Sequence, residues 1–301
     1  MKRLLHCIGY AVVLFAATQA SGEELAGTLK KIKDSGAITL GHRESSIPFS
    51  YYDDNQQVIG YAMDLCHRIV DANKIELGLP KLEIRLNPVT SATRIPLLAN
   101  GTIDLECGST TNNAERQRQV AYTITHFVTA NRFVSKKSAN LKSVDDLKGK
   151  TIVSTSGTTN IKQITEINAQ KNLGMNILTA KDHAEGFLMV ETDRAAAFVM
   201  DDILLYSLVA TSKSPGEYVI SADALSVEPY GIMLRKDDPA FKKVVDGAMV
   251  AIYKSGRINQ IYQKWFLEPI PPKGVNLNVP MSASFCKVVA QPTDSPDPAA
   301  Y

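Results

Sequence analysis

Short apolar runs that stop at polar, irregular stretches recur through this chain. They alternate with segments of helical spacing. Ala37 to Gly41, Thr151 to Ser154, Asn176 to Leu178 and Ala195 to Met200 read as strands. Helical stretches are expected over 60–77, 161–171, around Phe187 and over 203–210. This alternation predicts an α/β protein, a mainly parallel sheet flanked by helices. In open sheets of that kind ligands bind beyond the C-terminal ends of the strands. Polar side chains placed just after a strand are therefore the ones to follow.

The block 129–226 carries its own strand–helix alternation, between extended segments at 127–131 and 226–231. The expectation is a two-lobed molecule with two hinge crossings. Lobe 1 would be built from 23–128 and 227–275, lobe 2 from 129–226, and 276–301 would be a C-terminal tail. A cleft between two lobes is a favoured ligand location. Pro269 to Pro272 should end ordered packing, and the Pro-, Asp- and Ala-rich stretch after Gln291 should be mobile.

Residues 1–22 read as a signal peptide. Lys2 and Arg3 precede the apolar run Leu4 to Ala17, which is short for a membrane span. Small residues follow, so cleavage after Ala20 or Gly22 fits. The exported chain, about 280 residues long, keeps Cys66, Cys107 and Cys286. An oxidising compartment permits one bridge and leaves a thiol free, but the spacing does not choose the pair. The three lack close metal-ligand spacing, so neither a metal nor a cofactor is expected. A formal net charge of +2 without a basic run argues against nucleic acid as a partner.

The stretch 108–118 is the richest in chemistry. A strand-like run, Thr102 to Glu106, feeds hydroxyls at Ser109, Thr110 and Thr111. A helix start is then expected near Asn112 or Asn113, with Arg116 one turn in. Unpaired N–H groups at a helix start attract anions, and a guanidinium beside them offers two parallel donors shaped for a carboxylate. Ser91 is expected to cap a helix through Ala99 that Asn100-Gly101 stops, with Arg94 in its first turn. Arg43, Thr159, His183 and Asp201 also fall at strand ends. Singly, an Arg is more often a solvated surface group, and an Asp after a strand is more often a helix cap. Together they occupy the places where an α/β cleft would form.

These stretches resemble the periplasmic polar amino-acid-binding proteins of ABC importers, nearest to the glutamate/aspartate-binding branch. The resemblance rests on Gly-His-Arg-Glu-Ser-Ser-Ile-Pro-Phe-Ser-Tyr-Tyr-Asp (41–53), the run 90–113, Ser-Gly-Thr-Thr-Asn (156–160), Ala-Lys-Asp-His (180–183), Phe-Val-Met-Asp-Asp (198–202), the run 230–239 and Lys-Trp-Phe (264–266). It implies the two-lobed type II binding-protein fold, periplasmic location, L-glutamate or L-aspartate as ligand, ABC permease subunits as partners and a monomer without enzymatic activity. It implies that Arg116 and Thr111, with Thr159 from the other lobe, hold the α-carboxylate. Asp201 and Ser109 would take the ammonium, with a one-residue ambiguity between Asp201 and Asp202. Arg43, Ser91, Arg94 and His183 would surround the side-chain carboxylate. Ile232 stands where relatives can carry a cysteine, which removes a bridge from Cys107 to that strand. Physical chemistry agrees with the ligand: three arginines and one aspartate complement two carboxylates and one ammonium. An amide ligand would leave Arg43 and Arg94 poorly matched. Two other readings are an enzyme of this fold, a dehydratase of prephenate-like acids with Glu44 as the candidate acid, and a sensor module acting through a partner protein.

Overall fold

The computed structural model describes residues 25–301, so the expected signal segment lies outside the described residues. Helix α1 (Gly27–Ser35) is ended by Gly36 in the left-handed region and leads into β1 (Ala37–His42). A small antiparallel sheet of Ser45–Ser46, Ser50–Tyr52 and Val58–Ile59 follows, with its turn over 53–57. Then come α2 (Tyr61–Glu76), β2 (Glu83–Pro88), α3 (Arg94–Ala99), β3 (Leu105–Cys107) and β4 (Val120–Tyr122). The long β5 (Phe127–Lys136) carries the chain into a second sheet. There β6 (Thr151–Thr155), α4 (Thr159–Lys171), β7 (Asn176–Ala180), α5 (His183–Glu191), β8 (Ala197–Asp201), α6 (Asp202–Thr211) and β9 (Tyr218–Ile220) alternate. The chain returns through β10 (Ser226–Tyr230) and β11 (Met233–Arg235), and α7 (Pro239–Lys254), α8 (Arg257–Phe266) and α9 (Ala283–Ala290) follow.

The first sheet has the order β2-β1-β3-β11-β4, and the second β7-β6-β8-β5-β9 with β10 also on β5. In each, three neighbouring strands pair parallel and the remaining pairings are antiparallel. The two crossings lie side by side: β5 and β10 pair antiparallel from Phe127↔Tyr230 to Asn131↔Ser226. Strand β2 includes Pro88, because as an edge strand it can spare the missing N–H.

Aromatic rings fill the space beneath the crossing. Phe127 stacks on Phe266 with centroids 4.9 Å apart, and Phe49 meets Phe127 edge-on at 5.1 Å. His126 sits in the same cluster, fully buried, with neither ring nitrogen hydrogen-bonded. A disulfide joins Cys66 on α2 to Cys107 on β3 across a Cα separation of 6.2 Å, and Cys286 is free and exposed. The bridge removes loop-closure entropy from the unfolded chain, typically worth about 2–4 kcal/mol.

Three expectations need correction. No α-helix starts at Asn112 or Asn113; only a 3-10 turn forms, at Arg116–Arg118. The reason is that Thr111 bridges to Tyr230 and Asn112 N donates to the Pro229 carbonyl, so the segment is held extended against β10. Ser91 does not cap α3. Thr93 precedes that helix, bonded to Thr90, and the Ser91 hydroxyl is left for the cleft. The segment after Pro272 is packed, not loose. Phe285 of α9 is 1% exposed, and the last ten residues are tied by hydrogen bonds to Asn112 and Thr125, which lie on either side of β4.

Candidate functional site

The sheets point the C-terminal ends of their parallel strands at one another. Arg43 directly follows β1, Ser91 and Arg94 follow β2, and Ser109 and Thr111 follow β3. From the second sheet, Thr159 opens α4 after β6, His183 opens α5 after β7, and Asp201 ends β8. A small, tight cavity lies between, and seven of the nine expected residues line it: Ser91, Arg94, Ser109, Thr111, Thr159, His183 and Asp201. Thr158, Asn160, Met200 and Leu204 complete the wall. Arg43 and Arg116 stand at its margin, both buried. Arg116 Nη1 donates to the Thr111 carbonyl at 2.9 Å, and Nη2 reaches across to the Gly157 carbonyl at 3.2 Å.

The two halves meet closely. Gly157 has φ +75°, and a Cβ there would lie 2.6 Å from the Cα of Ala92. Only glycine fits both the backbone conformation and the approach. At the rim, Lys162 of α4 pairs with Glu115 beside the Arg116 turn.

Several atoms of the wall and its margin are buried without a hydrogen-bond partner: Arg94 Nε and the hydroxyls of Ser91 and Ser109 in the wall, and Arg43 Nη1 beside it. Buried polar groups are normally paired, so these form a set of donors converging on one small volume. Burial lowers the Arg43 guanidinium from its ordinary value, with Glu106 opposing. Arg94 is lowered too, to about 9, through burial first and then the charges of Arg116 and Arg43, again against Glu106. His183 is held well below its usual range by burial and by Arg43 and Arg94, so its ring is neutral at neutral pH. Its Nδ1 lies 2.9 Å from the Thr155 hydroxyl.

The opposite wall is acidic. Burial, reinforced by the neighbouring Glu228, pushes the Asp201 carboxyl up to about 7, while Tyr230 and Asn160 hydrogen bonds pull it back. Asn160 Nδ2 donates to it at 2.7 Å, and the Tyr230 hydroxyl donates to its other oxygen. Asp202 is used elsewhere, on Thr129 and Arg132, and Asp201 alone of the pair lines the cavity.

Five participants carried no assigned role in the sequence. Glu106 lies under Arg94, 4.0 Å away and bridged by Thr110: Arg94 Nη1 donates to Thr110 Oγ1 at 2.5 Å, which donates to Glu106 at 2.6 Å. Asn160, Tyr230 and Glu228 build the acidic wall. The acidic residues Asp104 and Glu106 alternating with apolar ones over 103–107 were the available signal for Glu106. Tyr230 and Glu228 give none, because their place depends on how β10 pairs with β5.

The arrangement matches a family. Residues 38–268 match the model of the bacterial extracellular solute-binding proteins, family 3. The chain is 56% identical to an L-glutamate/L-aspartate-binding protein of Pseudomonas aeruginosa over 90% of each chain. It is 46% identical to a glutamate/aspartate import solute-binding protein of Escherichia coli, over 89% of this chain and 88% of that one. Among solved structures, a mutant of ArgBP from T. maritima superposes with a TM-score of 0.71 at 27% identity, covering 80% of this chain and 100% of that one. These relatives are solute-binding proteins, and nothing in them favours the dehydratase reading. From the strand-end cleft, its paired basic and acidic walls and this extent of similarity, it follows that the chain belongs to family 3 of the bacterial extracellular solute-binding proteins.

Proposed function

We propose that this protein captures L-glutamate or L-aspartate in the periplasm by closing its lobes and delivers it to the permease subunits of an ABC importer. The observation that carries the reading is the convergence of three buried guanidiniums, Arg43, Arg94 and Arg116, beside one small cavity whose far wall is Asp201. Arg116, Thr111 and Thr159 take the α-carboxylate, and Asp201 with Ser109 the ammonium. Arg43, Ser91, Arg94 and neutral His183 take the side-chain carboxylate. Hydrogen bonds to charged groups contribute about 1.5–3 kcal/mol each, and an amide would leave buried guanidiniums poorly paired.

The lobes are 23–128 with 227–275 and 129–226, turning about the paired β5 and β10, and the protein works as a monomer. The Cys66–Cys107 bridge supports an oxidising compartment. A thermal-shift panel of acidic, amide and basic amino acids tests the proposal. Stabilisation by glutamate or aspartate is expected. Stabilisation by glutamine or arginine with indifference to both acids would overturn it.

A further inference from the structure

We propose that the C-terminal segment after Gln291 is a positioning element of the binding site, holding the loop that carries Thr111 and Arg116. The proposal rests on the carboxylate role assigned above to those two residues. The family match ends at residue 268, so this segment lies beyond it.

The Asp294 carbonyl is a hub. It accepts from Asn112 Nδ2 at 2.9 Å and from Gln117 Nε2 at 3.0 Å, and the same Gln117 Nε2 donates to Asn112 Oδ1 at 2.9 Å. Asn112 directly follows Thr111, and Gln117 directly follows Arg116. One carbonyl of the tail therefore ties together the two ends of the turn that sets the guanidinium. The Asp294 carboxylate lies 2.9 Å from Lys242 Nζ, which also donates to the Tyr122 carbonyl at 2.8 Å. The Tyr122 hydroxyl then donates, at 3.1 Å, to the Thr111 carbonyl that Arg116 also uses. Thr125 N donates to the Thr293 carbonyl at 2.8 Å, and Tyr301 meets the Thr125 hydroxyl at 2.7 Å, so the tail itself is pinned. The loop's own bonds are few beyond its 3-10 turn, among them Arg116 N to Asn113 Oδ1 at 2.9 Å and Gln117 N to the Asn113 carbonyl at 3.0 Å, so the tail adds to a light internal frame. A binding group is only as well placed as the hydrogen bonds that support it.

The test is a calorimetric cycle with L-glutamate. It uses the full chain, a form ending at Gln291, Arg116→Lys, and the two changes combined. Truncation should weaken glutamate about tenfold or more, with the far-ultraviolet spectrum unchanged. It should cost far less in the Arg116→Lys background, because a tail acting through Arg116 couples to it. Undiminished affinity after truncation, or equal losses in both backgrounds, overturns the positioning role. If the truncated chain does not fold, Gln117→Leu, which removes one of the two hub donors and its link to Asn112 with the tail in place, enters the same cycle under the same two criteria. A full chain that binds neither acidic amino acid overturns the functional reading and this proposal with it. A full chain that binds without coupling overturns the positioning role alone.

Discussion

Arg94 carries the sharpest charge argument. Its guanidinium is buried, weakened by Arg116 and Arg43, and only indirectly countered by Glu106 through Thr110. A carboxylate entering the cavity relieves that frustration. Arg94→Met should therefore cost roughly 1.5–3 kcal/mol of glutamate affinity, about 10–100-fold. The ligand-free melting temperature should hold or rise, since a buried like charge is removed. Titration calorimetry beside a thermal melt checks both, and unchanged affinity would remove Arg94 from the site. Asp201 makes a pH prediction. Burial and the neighbouring Glu228 push its carboxyl up to about 7, and an ammonium needs the charged form. Above pH 7 the carboxylate is ready. Below it, binding must expel a proton, so amino-acid affinity falls by up to about tenfold per pH unit. Glutarate, which lacks the amine, should not follow that decline, and Asp201→Asn should abolish it for glutamate. At this scale the sequence was informative wherever a polar side chain follows a strand, as Arg43, His183 and Asp201 do. It was silent on Tyr230 and Glu228, whose relation to Asp201 exists only after β5 and β10 have paired.

The elements that were legible are those with local causes. Gly36 closes α1, and the strand–helix alternation of the second sheet follows the apolar periodicity. Misread elements had distant causes. The segment at Asn112 looks like a helix start until the Pro229 carbonyl claims its N–H, and the tail looks mobile until Asp294 meets Lys242, Asn112 and Gln117. The approach of the β6–α4 loop to the α3 entry gives an element-level prediction. Gly157→Ala adds a methyl 2.6 Å from Ala92 Cα and forces a residue with φ +75° to carry a side chain. The conformational term costs roughly 1–2 kcal/mol. The clash arises only when the halves meet. Glutamate affinity should therefore fall by more than the melt alone accounts for, and a loss in affinity no larger than the loss in stability would contradict a closure role. His126 supplies a second. Burial in the aromatic cluster holds its pKa down to about 3, so the folded ring stays neutral while the unfolded one protonates below its ordinary value near 6.5. Its contribution is intact above pH 6.5 and is lost as pH falls from there toward 3. Stability against urea should decline over that window, and His126→Phe should flatten the decline.

Across the whole molecule, closure and charge are one problem. With the sheets facing each other, Arg43, Arg94 and Arg116 are buried with Glu106 on one wall, and Asp201 with Glu228 on the other. Buried charges that lack close partners cost several kcal/mol each even after relaxation, which opposes closing the cleft on solvent. A doubly acidic amino acid supplies two anions to the basic wall and a cation to the acidic one, so it lowers the cost of the closed state specifically. Only such differential stabilisation can shift the equilibrium. The radius of gyration in small-angle scattering should therefore fall when glutamate is added to the native protein. Arg94→Met should narrow the gap from the other side: without ligand it should already be more compact than the native protein, because one uncompensated buried charge is gone. If the two ligand-free proteins scatter alike, charge burial is not what holds the cleft open, and the closing energy must be sought in the contacts of Gly157 and the Lys162–Glu115 pair instead.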